Sequence, residues 1–150
     1  MPLARIPQDA GDSVWFITPT VWNWYYVFDR HNRWQILADS LQFLQQQRGL
    51  IIHAYVFMLN HLHMIVQHDD AAGIMRDFKK YTSRELRNNI RQTEPSVLKL
   101  FETNGEFRFW KEDNQPKRLE TERFYLQKLR YIHDNPVRKG YVDRPEYWCW

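Results

Sequence analysis

Two strand-patterned runs stand back to back near the middle of the chain, with too short a break between them to hold a helix. Leu50 to Met58 (LIIHAYVFM) is strongly apolar, and His61 to Gln67 (HLHMIVQ) follows after little more than Asn60. Strands joined this closely pair antiparallel, because a parallel partner needs a crossover of roughly a dozen residues. The rest of the chain must arrange itself around that hairpin. Ser13 to Val21 (SVWFITPTV) reads as another strand, with Pro19 marking an edge or a bulge near its end. Arg33 to Arg48, closed by Gly49, reads as a helix, since Trp34, Leu37, Leu41 and Leu44 recur at three- and four-residue steps. Phe107 to Lys111 (FRFWK) is a short strand by its pattern. Glu120 to Asp134 is a last helix, stopped by Asn135-Pro136 because the residue before proline avoids the helical region. The expected class is α+β, an antiparallel sheet with helices packed on it.

The clearest amphipathic helix is Ala72 to Gln92. Ile74, Phe78, Thr82, Leu86 and Ile90 form one row, and Arg76, Lys80, Arg84, Arg87 and Arg91 fall together on the other side. Between Arg76 and Arg91 the net charge is +4, against +3 for the whole chain, so the basic excess belongs to this helix. Such a row is usually a solvated face, but this one lacks the interleaved acids, which makes a phosphate track an equal reading. Lys111, Lys117 and Arg118, with Arg108, extend it. Aromatic residues reach 16%, more than a small core needs, and Trp22, Trp24 and Trp110 are candidates for stacking on bases or for the core.

At 150 residues the chain is expected to form one domain with a flexible tail over residues 1–12. No apolar run approaches the roughly 18 residues of a membrane span, and MPLARIPQDAGDS has no signal-peptide core. The single cysteine, Cys149, excludes a disulfide framework and a multi-cysteine zinc site, and a reducing, cytoplasmic location is the expectation.

Two short motifs carry chemistry. In NHLHMIV, residues two apart on a strand share a face, so His61 and His63 present both imidazoles together while Leu62, Met64 and Val66 point the other way. Two co-facial imidazoles can ligate a divalent metal, although with six histidines an H-x-H pair arises by chance in roughly one chain in five. In LRYIHDNPV, Tyr131 and Asn135 lie one turn apart on one helix face. On these residues alone, a packing tyrosine and a capping asparagine are the stronger reading. Asn135 also offers an oxygen that could complete a His/His/Asn set suited to Mg²⁺ or Mn²⁺.

Taken in order, HAYVFMLNHLHMIV, the basic helix with DFKKYTSREL, FW, and YIHDNPVRKGYV resemble the REP-associated tyrosine transposases. These are single-tyrosine members of the HUH endonuclease superfamily, in which U is a large apolar residue, here Leu62. The resemblance runs roughly from Val14 to Trp148. It implies a ferredoxin-like antiparallel sheet with the HUH pair on a central strand, a divalent metal (Mg²⁺ or Mn²⁺), and single-stranded hairpin DNA as substrate. It matches His61 and His63 to the metal-binding histidines, Tyr131 to the nucleophile and Asn135 to the third ligand. Related single-tyrosine transposases include obligate dimers, while REP-associated ones can act as monomers, so a homodimer stays open. The family's chains usually continue past the point matching Cys149-Trp150, which implies a further C-terminal element.

A phenol of ordinary pKa, about 10, is a poor nucleophile at neutral pH unless something stabilises the phenolate. Tyr81 in KKYTSREL is the rival nucleophile. It sits toward the apolar side of the basic helix and has no amide partner at Arg84 or Glu85. Tyr125 reads as core. Two other functions remain: a nucleic-acid-binding module without catalysis, and a zinc hydrolase using His53 or His133 as a third ligand, which lacks a carboxylate base.

Overall fold

The hairpin around Asn60 forms the middle of the fold. The computed structural model describes residues 13–112 and 116–150, so the tail expected over residues 1–12 lies outside the described residues. Strand β2 (Ile51–Phe57) pairs antiparallel with β3 (Leu62–His68), with a register irregularity between Ile52 and Ala54. On its other side β3 pairs with β1 (Ser13–Ile17), and β1 in turn with a two-residue strand, Lys117–Arg118. The order is therefore β2, β3, β1, then Lys117–Arg118, every neighbouring pair antiparallel. β1 and β2 are parallel across the inner strand, and helix α1 (Arg33–Arg48) is the crossover between them. Helix α2 (Ala71–Thr93) makes the same kind of crossover from β3 to the fourth strand. This is the split βαβ arrangement of a ferredoxin-like fold.

Local chemistry sets the helix ends. Gly49 closes α1 in the left-handed region (φ +68°), its N–H bonded to the Leu44 carbonyl. The Asp70 carboxylate accepts from the Gly73 N–H at 3.1 Å and caps α2. The expected bounds of these two helices hold to within a residue.

The two crossover helices cover one face of the sheet. Leu37, Leu41 and Leu44 of α1 and Ile74, Phe78, Leu86 and Ile90 of α2 bury against Trp15, Ile17, Leu62, Met64 and Val66. The other face is covered by α3 (Glu122–Arg138), whose Ile132 packs on Phe16, Ala54, Val56 and Ile65. Arg33, at the start of α1, is fully buried. Its guanidinium donates to Asn89 Oδ1 (2.9 Å), the Val27 carbonyl (2.9 Å) and Thr93 Oγ1 (3.1 Å), and lies 2.9 Å from the Glu94 carboxylate. No helix among the described residues is long and apolar enough to cross a membrane.

Three expectations are corrected. The strand expected over FRFWK reduces to β5 (Glu106–Phe107), paired with β4 (Glu102–Thr103). Lys117–Arg118 is thus β6. Phe109 and Trp110, adjacent in sequence, are both buried, which one-sided strand alternation forbids; Trp110 makes only an isolated bridge to Val21. The first strand stops at Ile17 rather than continuing through Pro19, and it is an inner strand rather than an edge. Beyond it, Thr20 and Val21 make single bridges to His61 and Trp110. The last helix begins at Glu122 and runs through Pro136 to Arg138. The bias before proline is overridden by packing: Asn135 and Pro136 are both buried, and the N–H groups of Lys139 and Tyr141 bond the carbonyls of Asn135 and Pro136, both at 3.0 Å.

The outer edge of β2 is met by the C-terminal residues. Phe57 N–H donates to the Trp150 carbonyl (3.0 Å), Trp148 Nε1 donates to the Phe57 carbonyl (2.8 Å), and the Trp150 ring stacks on Trp34 and Phe57.

Candidate active site

Strand alternation decides which β3 residues face α3. Leu62, Met64 and Val66 point toward α1 and α2, so His63 and Ile65 point toward α3. β3 is an inner strand, and His61 sits just ahead of it in the bridge to Thr20. The His61 and His63 rings are 4.7 Å apart, and Tyr131 of α3 meets the His63 ring edge-on with centres 5.0 Å apart. Phe16 stacks on His63 at 5.4 Å. Asn135, one turn beyond Tyr131, is 2% exposed. The four residues singled out by H-x-H and YIHDN thus come from two elements that pack together across one sheet face.

Hydrogen bonds fix how the imidazoles are presented. Asn60 donates from Nδ2 to the Trp24 carbonyl (3.0 Å), so its Oδ1 faces His61 Nδ1 at 2.7 Å. Oδ1 only accepts, so His61 Nδ1 carries the proton and Nε2 keeps its lone pair. His63 Nδ1 lies 2.8 Å from Thr18 Oγ1. Among the described residues, three buried side-chain polar atoms lack a hydrogen-bond partner, namely His63 Nε2, Asn135 Oδ1 and Trp15 Nε1. Trp15 belongs to the opposite face; the other two lie on the α3 side. An unpartnered buried polar atom is costly, and two of the three lie on this one face of the sheet.

Burial lowers the His61 pKa to about 4, helped by the charge of Lys139. It lowers that of His63 to about 3, followed by the effects of His61, Lys128, Arg138 and Lys139. Both rings are neutral at neutral pH, the form that ligates metal. Two imidazole nitrogens and an amide oxygen fit a hard-to-borderline divalent cation. The zinc-hydrolase alternative fares worse. Among the described residues no three His, Cys, Asp or Glu converge. Both nitrogens of His53 are engaged, by Tyr125 Oη (3.0 Å) and Gln67 Oε1 (2.9 Å), and His133 is exposed beside the β2 edge. Tyr125 is half-buried and polar-bonded rather than plain core.

A pair of cations against the Tyr131 ring is the feature sequence reading missed. The Arg138 guanidinium carbon lies 4.1 Å over the Tyr131 ring and its Nη2 donates to the Tyr131 carbonyl at 2.8 Å. Lys128 Nζ is 5.3 Å from the same ring and 4.8 Å from that of Phe16. Burial lowers the Lys128 pKa first, and the nearby charges of Lys117 and Arg138 lower it further. The signal was present: residues 128, 131, 135 and 138 follow three- and four-residue steps and share a helix face.

The remaining candidates separate. Arg76, Lys80, Arg84, Arg87 and Arg91 are exposed on α2, against the sheet face opposite Tyr131. Lys80, Arg84, Arg87 and Arg91 line a groove of about 540 Å³ with Phe107. Lys117 pairs across from Phe16 and so faces α3, while Arg118 pairs with Trp15 and faces the other way, 3.8 Å from Glu120. Lys111 Nζ lies 4.2 Å over the Trp24 ring and Arg108 lies over Trp22. Trp110 is core, its Nε1 bonded to Thr82 Oγ1 at 3.0 Å. Tyr81 is exposed on α2 beside Arg84, on the face away from the histidines.

No protein-family model and no curated protein matches the chain. Among solved structures, one described as a REP-associated tyrosine transposase bound to a REP hairpin aligns over 100% of this chain and 81% of that one, at a TM-score of 0.76 and 19% identity. A second, described as a transposase of Deinococcus radiodurans R1, aligns over 89% of this chain and 97% of that one, at a TM-score of 0.49 and 16% identity. The chain has the fold of a REP-associated tyrosine transposase.

Proposed function

We propose that this protein is a transposase-type single-strand DNA endonuclease and strand transferase, acting on hairpin-forming DNA through Tyr131. The observation that carries the reading is the meeting of Tyr131 with His63 at 5.0 Å, beside two unpartnered buried atoms, His63 Nε2 and Asn135 Oδ1. His61, His63 and Asn135 would hold Mg²⁺ or Mn²⁺, which when bound supplies Lewis-acid polarisation of a non-bridging oxygen of the scissile phosphate.

The chain's own residues do the rest. Thr18 and Asn60 hold the two imidazoles in place through their Nδ1 atoms. Lys128 and Arg138 set positive charge against the Tyr131 ring, where negative charge develops as the phenol loses its proton. The phenol gives up its proton to water as Tyr131 Oη attacks phosphorus; the Oη–P bond forms, the P–O3′ bond breaks, and the released O3′ takes up a proton from water. The product is a 5′-phosphotyrosine and a free 3′-hydroxyl. Attack by a 3′-hydroxyl on that phosphotyrosine reverses the bond changes, so rejoining needs no ATP.

The test is incubation with single-stranded hairpin DNA copied from the flanks of the protein's own gene. Wild type in Mg²⁺ or Mn²⁺ is expected to give a covalent adduct on a denaturing gel, and His63→Ala to lose both the adduct and Mn²⁺ binding. An adduct that persists in excess chelator, or in His63→Ala, overturns the reading.

The α2 row is assigned to phosphates away from the cut. Arg84→Glu combined with Arg87→Glu is expected to weaken binding across all sequences and lower the slope of log K against log salt by about one to two. An unchanged slope makes the row an ordinary solvated face.

A further inference from the structure

Trp24 is held out of the core. Trp24 is 57% exposed, whereas Trp15 and Trp110 are buried and the other four tryptophans are half-buried. Asn23 (φ +53°) and Trp24 (φ +55°) are consecutive non-glycine residues in the left-handed region. Asparagine accepts that conformation, but a bulky aromatic residue adopts it only where surrounding bonds enforce it. The bonds are present. Trp24 N–H donates to the Val21 carbonyl at 2.9 Å, Val21 N–H to the Asn60 carbonyl at 2.9 Å, and Asn60 Nδ2 to the Trp24 carbonyl at 3.0 Å. The other end of that Asn60 amide holds His61. One side chain therefore ties the backbone that carries an exposed indole to an imidazole of the site, and Lys111 Nζ stands 4.2 Å over that indole.

We propose that Trp24 and Lys111 form a binding site for one unpaired nucleotide next to the scissile phosphate, the base stacking on the indole and the Lys111 ammonium facing its phosphate. The proposal rests on the function given above and adds to it where the single strand is gripped. An indole binds any base through its π-face, with a Lys charge beside it for the backbone. The tie through Asn60 to His61 puts this nucleotide beside the cleavage site, not on the α2 row.

The experiment measures binding in the Tyr131→Phe background, so that no cleavage intervenes. The probe is a fluorescein-labelled single-stranded hairpin copied from the flanks of the gene, with its unpaired tail, and a set in which each tail position in turn is abasic. The parent is expected to lose roughly five- to a hundredfold in affinity at one abasic position. Trp24→Ala is expected to bind the intact probe more weakly by a similar factor and to show no further loss at that position, while Trp24→Phe keeps most of the affinity and the position effect. The thermal midpoint of Trp24→Ala should stay near that of the parent, because the indole is exposed. Undiminished affinity in Trp24→Ala, or an unchanged abasic profile, overturns the proposal. If the parent itself does not bind the hairpin, the functional reading above fails instead.

Discussion

Tyr131→Phe is expected to abolish the covalent protein–DNA species while leaving hairpin binding within a few-fold of wild type. The substitution removes one oxygen and keeps the ring, and the ring makes the described contacts: His63 at 5.0 Å, Phe16 at 5.9 Å and Arg138 at 4.1 Å. Its packing on α3 therefore survives, and stability should move by less than about 0.5 kcal/mol. If Tyr131 only packs, the mutant behaves as wild type in every assay. Tyr81→Phe is the control, since Tyr81 lies on α2 away from the histidines, and it should still form the adduct. A DNA-linked species in Tyr131→Phe, or its loss in Tyr81→Phe alone, removes Tyr131 as the nucleophile.

The largest effect on stability is expected at Arg33. Arg33→Ala leaves the Glu94 carboxylate, Asn89, Thr93 and the Val27 carbonyl without the guanidinium that joins them. Glu94 keeps Arg30 at 2.8 Å, but the buried Val27 carbonyl loses its donor and a side-chain-sized void opens, together costing about 3–5 kcal/mol, which for a chain of this size lowers the thermal midpoint by roughly 10 °C. Arg33→Lys keeps the charge but not the planar fork, so it should recover only part of the loss. Thermal unfolding of the three proteins measures it, and a midpoint in Arg33→Ala within a degree or two of wild type would falsify the stapling role.

Arg33 also shows what a one-dimensional reading overlooks. A cation in the first turn of a helix opposes the helix dipole, and that anomaly was the available signal. Its explanation is the C-terminal end of α2, Thr93 and Glu94, which only the folded chain brings to it. The same division runs through the site. The shared face of His61 and His63, and of Tyr131 and Asn135, follows from local periodicity and was legible. That α3 would close over the histidines was not, because periodicity reports which side is apolar but not what packs against it. The basic row of α2 was read correctly as a row, yet it lies on the sheet face opposite Tyr131, and the cations nearest the tyrosine, Lys128 and Arg138, went unread. The two-residue strands β4, β5 and β6 are too short to carry any period.

The C-terminal tryptophans bear on how copies of this protein behave toward one another in bulk. β2 is an open rim of the sheet, with Ile51 and Tyr55 each 51% exposed, and such a rim is a template for strand addition and aggregation. At Phe57 both the backbone N–H and the carbonyl are already taken, by Trp150 and by the Trp148 indole, and the Trp150 ring is stacked on the Phe57 ring. A strand approaching from outside would have to strip away a stacked indole and two hydrogen bonds before it could extend past that residue. Trp148 and Trp150 thus occupy the rim of β2 at its Phe57 end, where Phe57 pairs with Leu62 beside the turn that carries His61.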